Sequence, residues 1–228
     1  MNFAIIVAAG NGTRFGTKTP KQFLELNRKP LIIHTLERFE NCPQIDQIIL
    51  VLSSTETQNF LNLAKKYNLK KLAKIAAGGK TRAASVFNGL KTIRAVGETI
   101  VAVHDGARPL VTSAEIAATV EKAATDGAAC LVARITDTIK KVSDGKIIET
   151  IDRLLLRRAL TPQCFQYDIL KRAFENADLS EAATDECFLV EKAGYKISTV
   201  EGNARNIKIT HPEDLALAEF LLRQTDDN

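Results

Sequence analysis

A glycine-rich segment with a fixed positive charge directly follows the first apolar run of the chain. Residues 8–16 read Ala-Ala-Gly-Asn-Gly-Thr-Arg-Phe-Gly, with Arg14 as the cation, and Lys21 follows shortly afterwards. Glycines at such a turn let backbone N–H groups approach phosphate oxygens, because no Cβ atom blocks the path. The segment therefore indicates a phosphate-binding loop, although the glycines alone would also suit an ordinary strand-to-helix turn.

Two well-known phosphate loops do not match this segment. A dinucleotide-binding loop needs a third glycine where the chain has Phe15, and an acidic residue after the second strand, where residues 52–54 read Leu-Ser-Ser. A Walker A loop starts at neither Gly10 nor Gly12. The cations favour instead a reaction at a phosphate, where positive charge stabilises the departing pyrophosphate. The missing third glycine and acidic residue disfavour a nicotinamide-dependent dehydrogenase. A non-catalytic nucleotide sensor is also disfavoured, because it should lack basic residues such as Arg14 and Lys21.

A second polar segment stands at the end of the fourth apolar run, where residues 104–109 read His-Asp-Gly-Ala-Arg-Pro. In open α/β sheets, ligands bind beyond the carboxyl ends of the strands. Asp105 could hold Mg²⁺ or a sugar hydroxyl, and Arg108 could hold a phosphate. The alternative is a turn-forming aspartate with a surface arginine, and His104 could equally be a hydrogen-bonded strand residue.

The elements that must position these residues alternate along the chain. Predicted strands cover residues 3–8, 47–52, 74–77, 99–103, 128–133, 196–200 and 207–209. Predicted helices cover residues 31–39, 57–67, 81–94, 114–124, 167–176, 185–193 and 210–223. Strands that are apolar throughout are typical of parallel sheets covered on both faces. Repeated βα units therefore predict an α/β fold with a single doubly wound, mostly parallel sheet.

One segment interrupts this alternation. Residues 139–151 read as two short strands joined at Asp144-Gly145, and an Asp-Gly link is typical of a type I′ hairpin. The hairpin could cover a sheet edge, or project as an arm that pairs with another subunit, and we favour the arm. Because no Pro-, Gly- or Ser-rich linker occurs, we expect one domain over residues 1–228, with the arm at residues 137–153.

The composition of the chain excludes several classes of protein. The chain has 228 residues, 45% of them hydrophobic, and a formal net charge of +4. It contains no apolar run of about 18 residues, so no membrane-spanning helix is predicted, and so small a charge does not indicate nucleic-acid binding. The four cysteines are far apart, which predicts free thiols in a reducing compartment. Since no basic leader precedes the first strand, we expect a cytoplasmic protein.

Taken together, these residues resemble the 2-C-methyl-D-erythritol 4-phosphate cytidylyltransferase family of the non-mevalonate isoprenoid pathway. The matching segments are residues 8–14, 20–22, 78–85, 104–109, 137–138, 152–153, 161–163, 184–186, 201–202, 206–208 and 212–215. Each is weak alone, but together they cover nearly the whole chain in order. The resemblance implies a Rossmann-like nucleotidyltransferase fold and transfer of CMP from CTP to methylerythritol phosphate, with Mg²⁺ and release of pyrophosphate.

The resemblance also implies roles for individual residues. Arg14 and Lys21 would stabilise charge on the triphosphate, while Arg153 and Lys208 would place the attacking phosphate. The nucleotide pocket would contain Ala8, Ala9, Gly10, Gly12, Gly79 and Ser85. The acceptor and metal region would contain Asp105, the metal ligand, with Arg108, Thr138, Thr161 and Thr184. The family's dimer arm corresponds to the hairpin, so a homodimer is implied in which Thr138 and Arg153 act across the subunit interface.

The chain departs from the family pattern at Lys80, where an acidic residue often stands beside the base. This leaves the hydrogen bonding to cytosine open. The nearest alternative is the related ribitol-5-phosphate cytidylyltransferase family, which performs the same chemistry on another polyol phosphate. Residues 152–153 and 184–186 resemble the methylerythritol enzymes more closely.

Overall fold

The computed structural model describes residues 1–10, 15, 20–95, 97–178 and 185–226. The strands are β1 (Phe3–Val7), β2 (Glu25–Leu26), β3 (Lys29–Pro30), β4 (Gln47–Leu52), β5 (Leu72–Ala77), β6 (Ile100–Asp105), β7 (Ala128–Arg134), β8 (Ile139–Ser143), β9 (Lys146–Ile151), β10 (Arg157–Gln166) and β11 (Ser198–Glu201). The helices are α1 (Leu31–Glu40), α2 (Thr57–Ala64), α3 (Arg82–Leu90), α4 (Ser113–Asp126), α5 (Tyr167–Glu175), α6 (Glu186–Lys192) and α7 (Pro212–Asp226).

A seven-stranded sheet forms the centre of the fold, in the order β11-β7-β10-β6-β1-β4-β5. Its strand pairs are parallel except those of β10, which runs antiparallel to both β6 and β7. Helices α1, α2 and α4 contribute to the apolar cluster on one face, and α3, α5 and α6 contribute to that on the other. The predicted α/β fold with a mostly parallel sheet is thus confirmed.

The central strands are apolar throughout because they are buried on both faces. In β1, Ala4 and Ile6 pack into one cluster, while Phe3 and Ile5 pack into the other. Successive side chains of a strand point to opposite faces, so a strand covered on both sides needs apolar residues at every position. The same physical demand explains the apolar sequence of β6.

One predicted strand is absent, and the longest strand of the sheet has no counterpart in the prediction. Residues 207–209 form no strand, and the Ile209 N–H makes a single backbone bond to the Ala107 carbonyl at 2.8 Å. Strand β10 was not predicted, because its sequence carries polar residues and Pro162 instead of an apolar run. The pairing of β10 with β7 shifts register between Ala159 and Gln163, and such an irregularity accommodates a proline that cannot donate to the ladder.

The predicted hairpin is confirmed as a separate two-stranded sheet of β8 and β9. Asp144 and Gly145 both have positive φ, at 49° and 72°, as a type I′ turn requires. The hairpin and the turn after it expose apolar side chains, and Leu154 and Leu155 are 77% and 83% exposed. Since β8 and β9 pair with no strand of the central sheet, the hairpin is not an added edge of that sheet.

The four cysteines are free and buried, as predicted. Among the described residues, no helix has both the length and the apolar character needed to cross a membrane.

Candidate active site

A cleft of about 530 Å³ opens at the carboxyl ends of β1, β5 and β6. It is lined by residues 8–10 after β1, residues 79–82 after β5, residues 105–107 at the end of β6, and Lys21 and Lys208. Strand order explains this convergence, because β1 lies between β6 and β4, and parallel strands end at the same edge of a sheet. Residues 8–10, the described start of the glycine-rich segment, therefore share one cleft with the polar segment that ends β6.

The centre of the cleft is the Asp105 carboxylate, which three cations contact. Lys208 Nζ lies 3.0 Å from Oδ2, Arg82 Nε lies 3.1 Å from Oδ1, and Arg108 Nε lies 3.3 Å from Oδ2. Burial acts to raise the pKa of Asp105, but the positive charge of Arg82, Lys208 and Arg108 outweighs it and holds the pKa well below its usual range. Asp105 is therefore a permanent anion surrounded by cations.

A second buried carboxylate stands behind Arg82. Arg82 Nη1 donates to both oxygens of Glu186, at 2.7 and 2.8 Å, and Glu186 is only 1% exposed. Burial raises the pKa of Glu186, and Arg82 opposes that shift. Gln163 anchors this end of α6, because its Oε1 accepts from the N–H groups of Glu186 and Cys187, each at 3.1 Å. The Arg82 guanidinium is thus held between two carboxylates, with Asp105 at Nε and Glu186 at Nη1, and this fixes its orientation.

Neither Arg82 nor Glu186 has a role predicted from the sequence. Both lie inside the segments that carry the family resemblance, residues 78–85 and 184–186. Their pairing is 104 positions apart in the chain, so no local spacing could have revealed it.

His104 is wholly buried beneath the cleft and is a hydrogen-bonded strand residue. Its Nε2 lies 3.1 Å from the Arg108 carbonyl, and its Nδ1 lies 2.9 Å from Thr161 Oγ1. A carbonyl can only accept, so Nε2 carries the hydrogen and Nδ1 accepts from the Thr161 hydroxyl. Burial lowers the pKa of His104 to about 4, so its ring is neutral at pH 7.

The turn between β5 and α3 depends on a glycine. The Gly79 N–H donates to Ser85 Oγ at 3.0 Å, and Ser85 donates in turn to the Thr81 carbonyl at 2.9 Å. A Cβ at Gly79 would lie 2.6 Å from the Ala84 Cβ and 2.9 Å from the Ala84 backbone carbon. Because backbone cannot move aside easily, this position needs glycine.

Most of the predicted site residues that the structure describes lie in the cleft. Those lining it are Ala8, Ala9, Gly10, Lys21, Gly79, Ser85, Asp105 and Lys208. Arg108 contacts Asp105, and Thr161 is buried beneath it with its hydroxyl bonded to His104. Thr138 and Arg153 are exposed at the hairpin and do not line the cleft, and the Arg153 guanidinium donates to the Thr136 carbonyl. Gly12, Arg14 and Thr184 lie outside the described residues.

A doubly wound sheet with a glycine-bordered, cation-lined cleft at its carboxyl edge defines a nucleotidyltransferase type of α/β enzyme. The chain matches the model of the IspD family, 2-C-methyl-D-erythritol 4-phosphate cytidylyltransferase, over residues 2–224. It belongs to that family.

Full-length relatives and solved structures agree with this assignment. A 2-C-methyl-D-erythritol 4-phosphate cytidylyltransferase of Alkaliphilus metalliredigens is 43% identical, with 98% of this chain and 93% of the relative covered. The same enzyme of Halalkalibacterium halodurans is 39% identical, with 99% of each covered. The solved 4-diphosphocytidyl-2C-methyl-D-erythritol synthase of Anaerococcus prevotii is similar with a TM-score of 0.85 at 28% identity, with 97% of this chain and 96% of that chain covered.

We expect Gly79→Ala to destabilise the protein by about 1–3 kcal/mol, since overpacking costs this much where backbone must shift. Urea unfolding at pH 7 measures the change. Gly10→Ala is the matched control, because a Cβ at Gly10 meets no atom of the described residues within 4 Å. Equal stability losses in the two variants would contradict the close approach at Gly79.

Stability should fall as the pH drops from about 6.5 to about 4. In this window the unfolded chain protonates His104, whereas the folded chain, with its pKa of about 4, does not. The unfolded state then binds more protons, and the loss amounts to roughly 3 kcal/mol at 1.36 kcal/mol per pKa unit. Urea unfolding at pH 7, 5.5 and 4.5 should show a smaller loss for His104→Gln than for the unchanged protein. Parallel stability curves for the two would refute this assignment.

Proposed function

We propose that this protein transfers CMP from CTP to 2-C-methyl-D-erythritol 4-phosphate, forming 4-diphosphocytidyl-2-C-methyl-D-erythritol and pyrophosphate. The observation that carries this function is the convergence of Lys21, Arg82, Arg108 and Lys208, from separate segments, on one cleft region beside a glycine-rich turn. Family membership favours methylerythritol phosphate over ribitol 5-phosphate as the acceptor.

The reaction joins an acceptor phosphate oxygen to the α-phosphorus of CTP and breaks the bond from that phosphorus to the β-phosphate oxygen. Negative charge grows on the leaving pyrophosphate, so positive groups that are already in place lower the barrier. Lys21 Nζ donates to the carbonyl of Ile209, the residue after Lys208, at 3.1 Å. Lys208 Nζ in turn contacts the Asp105 carboxylate at 3.0 Å. Both ammonium groups are therefore held at the cleft before the reaction.

The cleft also suits a Mg²⁺ ion that takes most of its ligands from the substrate. The described residues contain no group of three or more His, Cys, Asp or Glu that could hold a metal by themselves. Asp105 is the acidic side chain among the described residues that line the cleft. Mg²⁺ typically uses one or two carboxylates together with substrate phosphates, so Asp105 and the triphosphate form a suitable donor set. The bound ion would neutralise charge on the phosphates.

We further propose that the chain is one domain over residues 1–228 and that residues 137–153 form the arm of a homodimer. The hairpin stands apart from the central sheet and exposes Val142, Ile147 and Ile148. Exposed apolar side chains grouped in this way are typical of a protein contact. The arm also carries Thr138 and Arg153 away from the cleft of their own chain, which suits action at a partner's cleft.

Four free buried thiols are consistent with the cytoplasm as the location of this protein.

Pyrophosphate release should be measured with each of the four nucleoside triphosphates, against methylerythritol phosphate and ribitol phosphate, with Mg²⁺ or with a chelator. We expect release with CTP and methylerythritol phosphate, and its loss when the metal is chelated. Faster release with ribitol phosphate, or with another nucleotide, would overturn the proposed substrates. Unchanged release after chelation would overturn the metal.

Lys21→Ala should lower kcat by about 10²–10³, the usual effect of removing a preorganised charge-stabilising group. Steady-state pyrophosphate release measures it. Lys171→Ala is the matched control, because Lys171 lies on α5, half exposed, at 3.9 Å from Glu175. If both variants keep the original kcat, Lys21 has no part in the chemical step.

Ile147→Asp should shift the dimer towards monomers, since it places a charge in the proposed apolar contact, where Ile147 is 65% exposed. Analytical ultracentrifugation at several protein concentrations detects the shift. Phe220→Asp is the control, because Phe220 is also exposed but belongs to α7. The arm is not a dimer contact if both variants sediment as the unchanged protein does.

A further inference from the structure

A closed circuit of hydrogen bonds lies directly beneath the cleft. The Asp105 N–H donates to Thr161 Oγ1 at 3.2 Å, the Thr161 hydroxyl donates to His104 Nδ1 at 2.9 Å, and His104 Nε2 donates to the Arg108 carbonyl at 3.1 Å. Arg108 Nη1 donates to the Asn206 carbonyl at 2.8 Å, and Asn206 Nδ2 donates to the Thr161 carbonyl at 2.9 Å. These five residues, called the buried circuit below, connect the end of β6, strand β10 and the segment that leads to Lys208.

Burial makes the buried circuit a constraint. His104 and Asn206 are 0% exposed, and Thr161 is 4% exposed. Water cannot replace a lost bond there, and an unsatisfied buried donor or acceptor is costly. The His104 ring also packs against the ring of Phe39, with ring centroids 4.9 Å apart and an interplanar angle of 56°. A wholly buried ring has no surface to offer a substrate, so His104 acts only through its neighbours.

The buried circuit reaches some walls of the cleft and not others. It includes Asp105 and Arg108, and its member Asn206 stands two residues before Lys208 in the chain. Residues 8–10 and Gly79 make no bond to its members in the hydrogen bonds described above. Within the wall of residues 79–82, Arg82 does contact a member, because its Nε lies 3.1 Å from the Asp105 carboxylate. Its effect should therefore fall on the groups that hold the acceptor phosphate more than on the glycine-rich walls assigned to the nucleotide.

We propose that His104 is a positioning residue, whose ring closes the buried circuit and so fixes Arg108 for the acceptor phosphate. This inference rests on the proposed function. His104 bonds at both of its ring nitrogens, to the side chain of Thr161 and to the main chain of Arg108. Replacement of the ring would release the Arg108 turn from β10 while leaving the surrounding sheet pairs in place.

The test compares His104→Phe with His104→Gln. Phenylalanine keeps a ring against Phe39 but makes neither hydrogen bond, whereas the glutamine amide can still donate to the Arg108 carbonyl. His34→Phe is the matched control, because His34 on α1 also bonds a backbone carbonyl through Nε2, that of Leu26 at 2.7 Å, and does not line the cleft. The measurements are kcat, the KM for methylerythritol phosphate, the Kd for CTP by calorimetry, and Tm.

For His104→Phe we expect kcat/KM for methylerythritol phosphate to fall about 10-fold or more, the usual effect of removing an outer hydrogen-bond partner. The Kd for CTP should change less than about twofold. His104→Gln should recover part of the loss, and His34→Phe should keep the original kcat/KM. A purely structural role would lower Tm and weaken both ligands together, without recovery by glutamine.

The inference is overturned if His104→Phe keeps the original kcat/KM, or if it weakens CTP binding as much as acceptor use. If His104→Phe does not fold, the same measurements on Thr161→Val and Thr161→Ser decide the matter, since only serine keeps the hydroxyl of the buried circuit. Equal kcat/KM values for those two variants would then overturn it. Absence of CMP transfer by the unchanged protein would instead overturn the proposed function.

Discussion

The pairing of one buried aspartate with three cations is the interaction on which the rest of the site depends. A desolvated carboxylate is costly unless it is paired, and three cations within a few ångströms repel one another unless an anion lies between them. Asp105 and its partners Arg82, Arg108 and Lys208 meet both requirements at once. The elements that carry these residues are consequently held together by charge at the edge of the sheet where apolar packing ends.

This arrangement has a direct bearing on phosphate chemistry. A phosphate ligand brings negative charge, and cations that are assembled beforehand need little reorganisation to receive it. Glu186 contributes to this preorganisation, because it binds Arg82 from behind without entering the cleft. The net charge of the whole chain, +4, says nothing about this concentration of positive charge, which arises only when distant segments are brought together.

Patterns that depend on local physics could be predicted from the sequence. Strands β1 and β6 could be recognised because burial on both faces demands unbroken apolar runs, and the hairpin because Asp144-Gly145 suits positive φ. Strand β10 could not, since its polar residues serve the site: Thr161 and Gln163 are buried for their hydrogen bonds. Likewise, Arg82 and Glu186 pair across the fold, and their partnership has no signature in sequence spacing.

The direction of β10 decides where the arm can be attached. Because β10 runs against its neighbours, its first residue, Arg157, lies at the edge where the parallel strands end. The chain between β7 and β10 therefore leaves and rejoins the sheet on the side of the cleft. This connection is a modular position in the fold: its length and sequence can diverge during evolution without altering the order of the sheet strands, while every such change is presented to the substrate side of the enzyme.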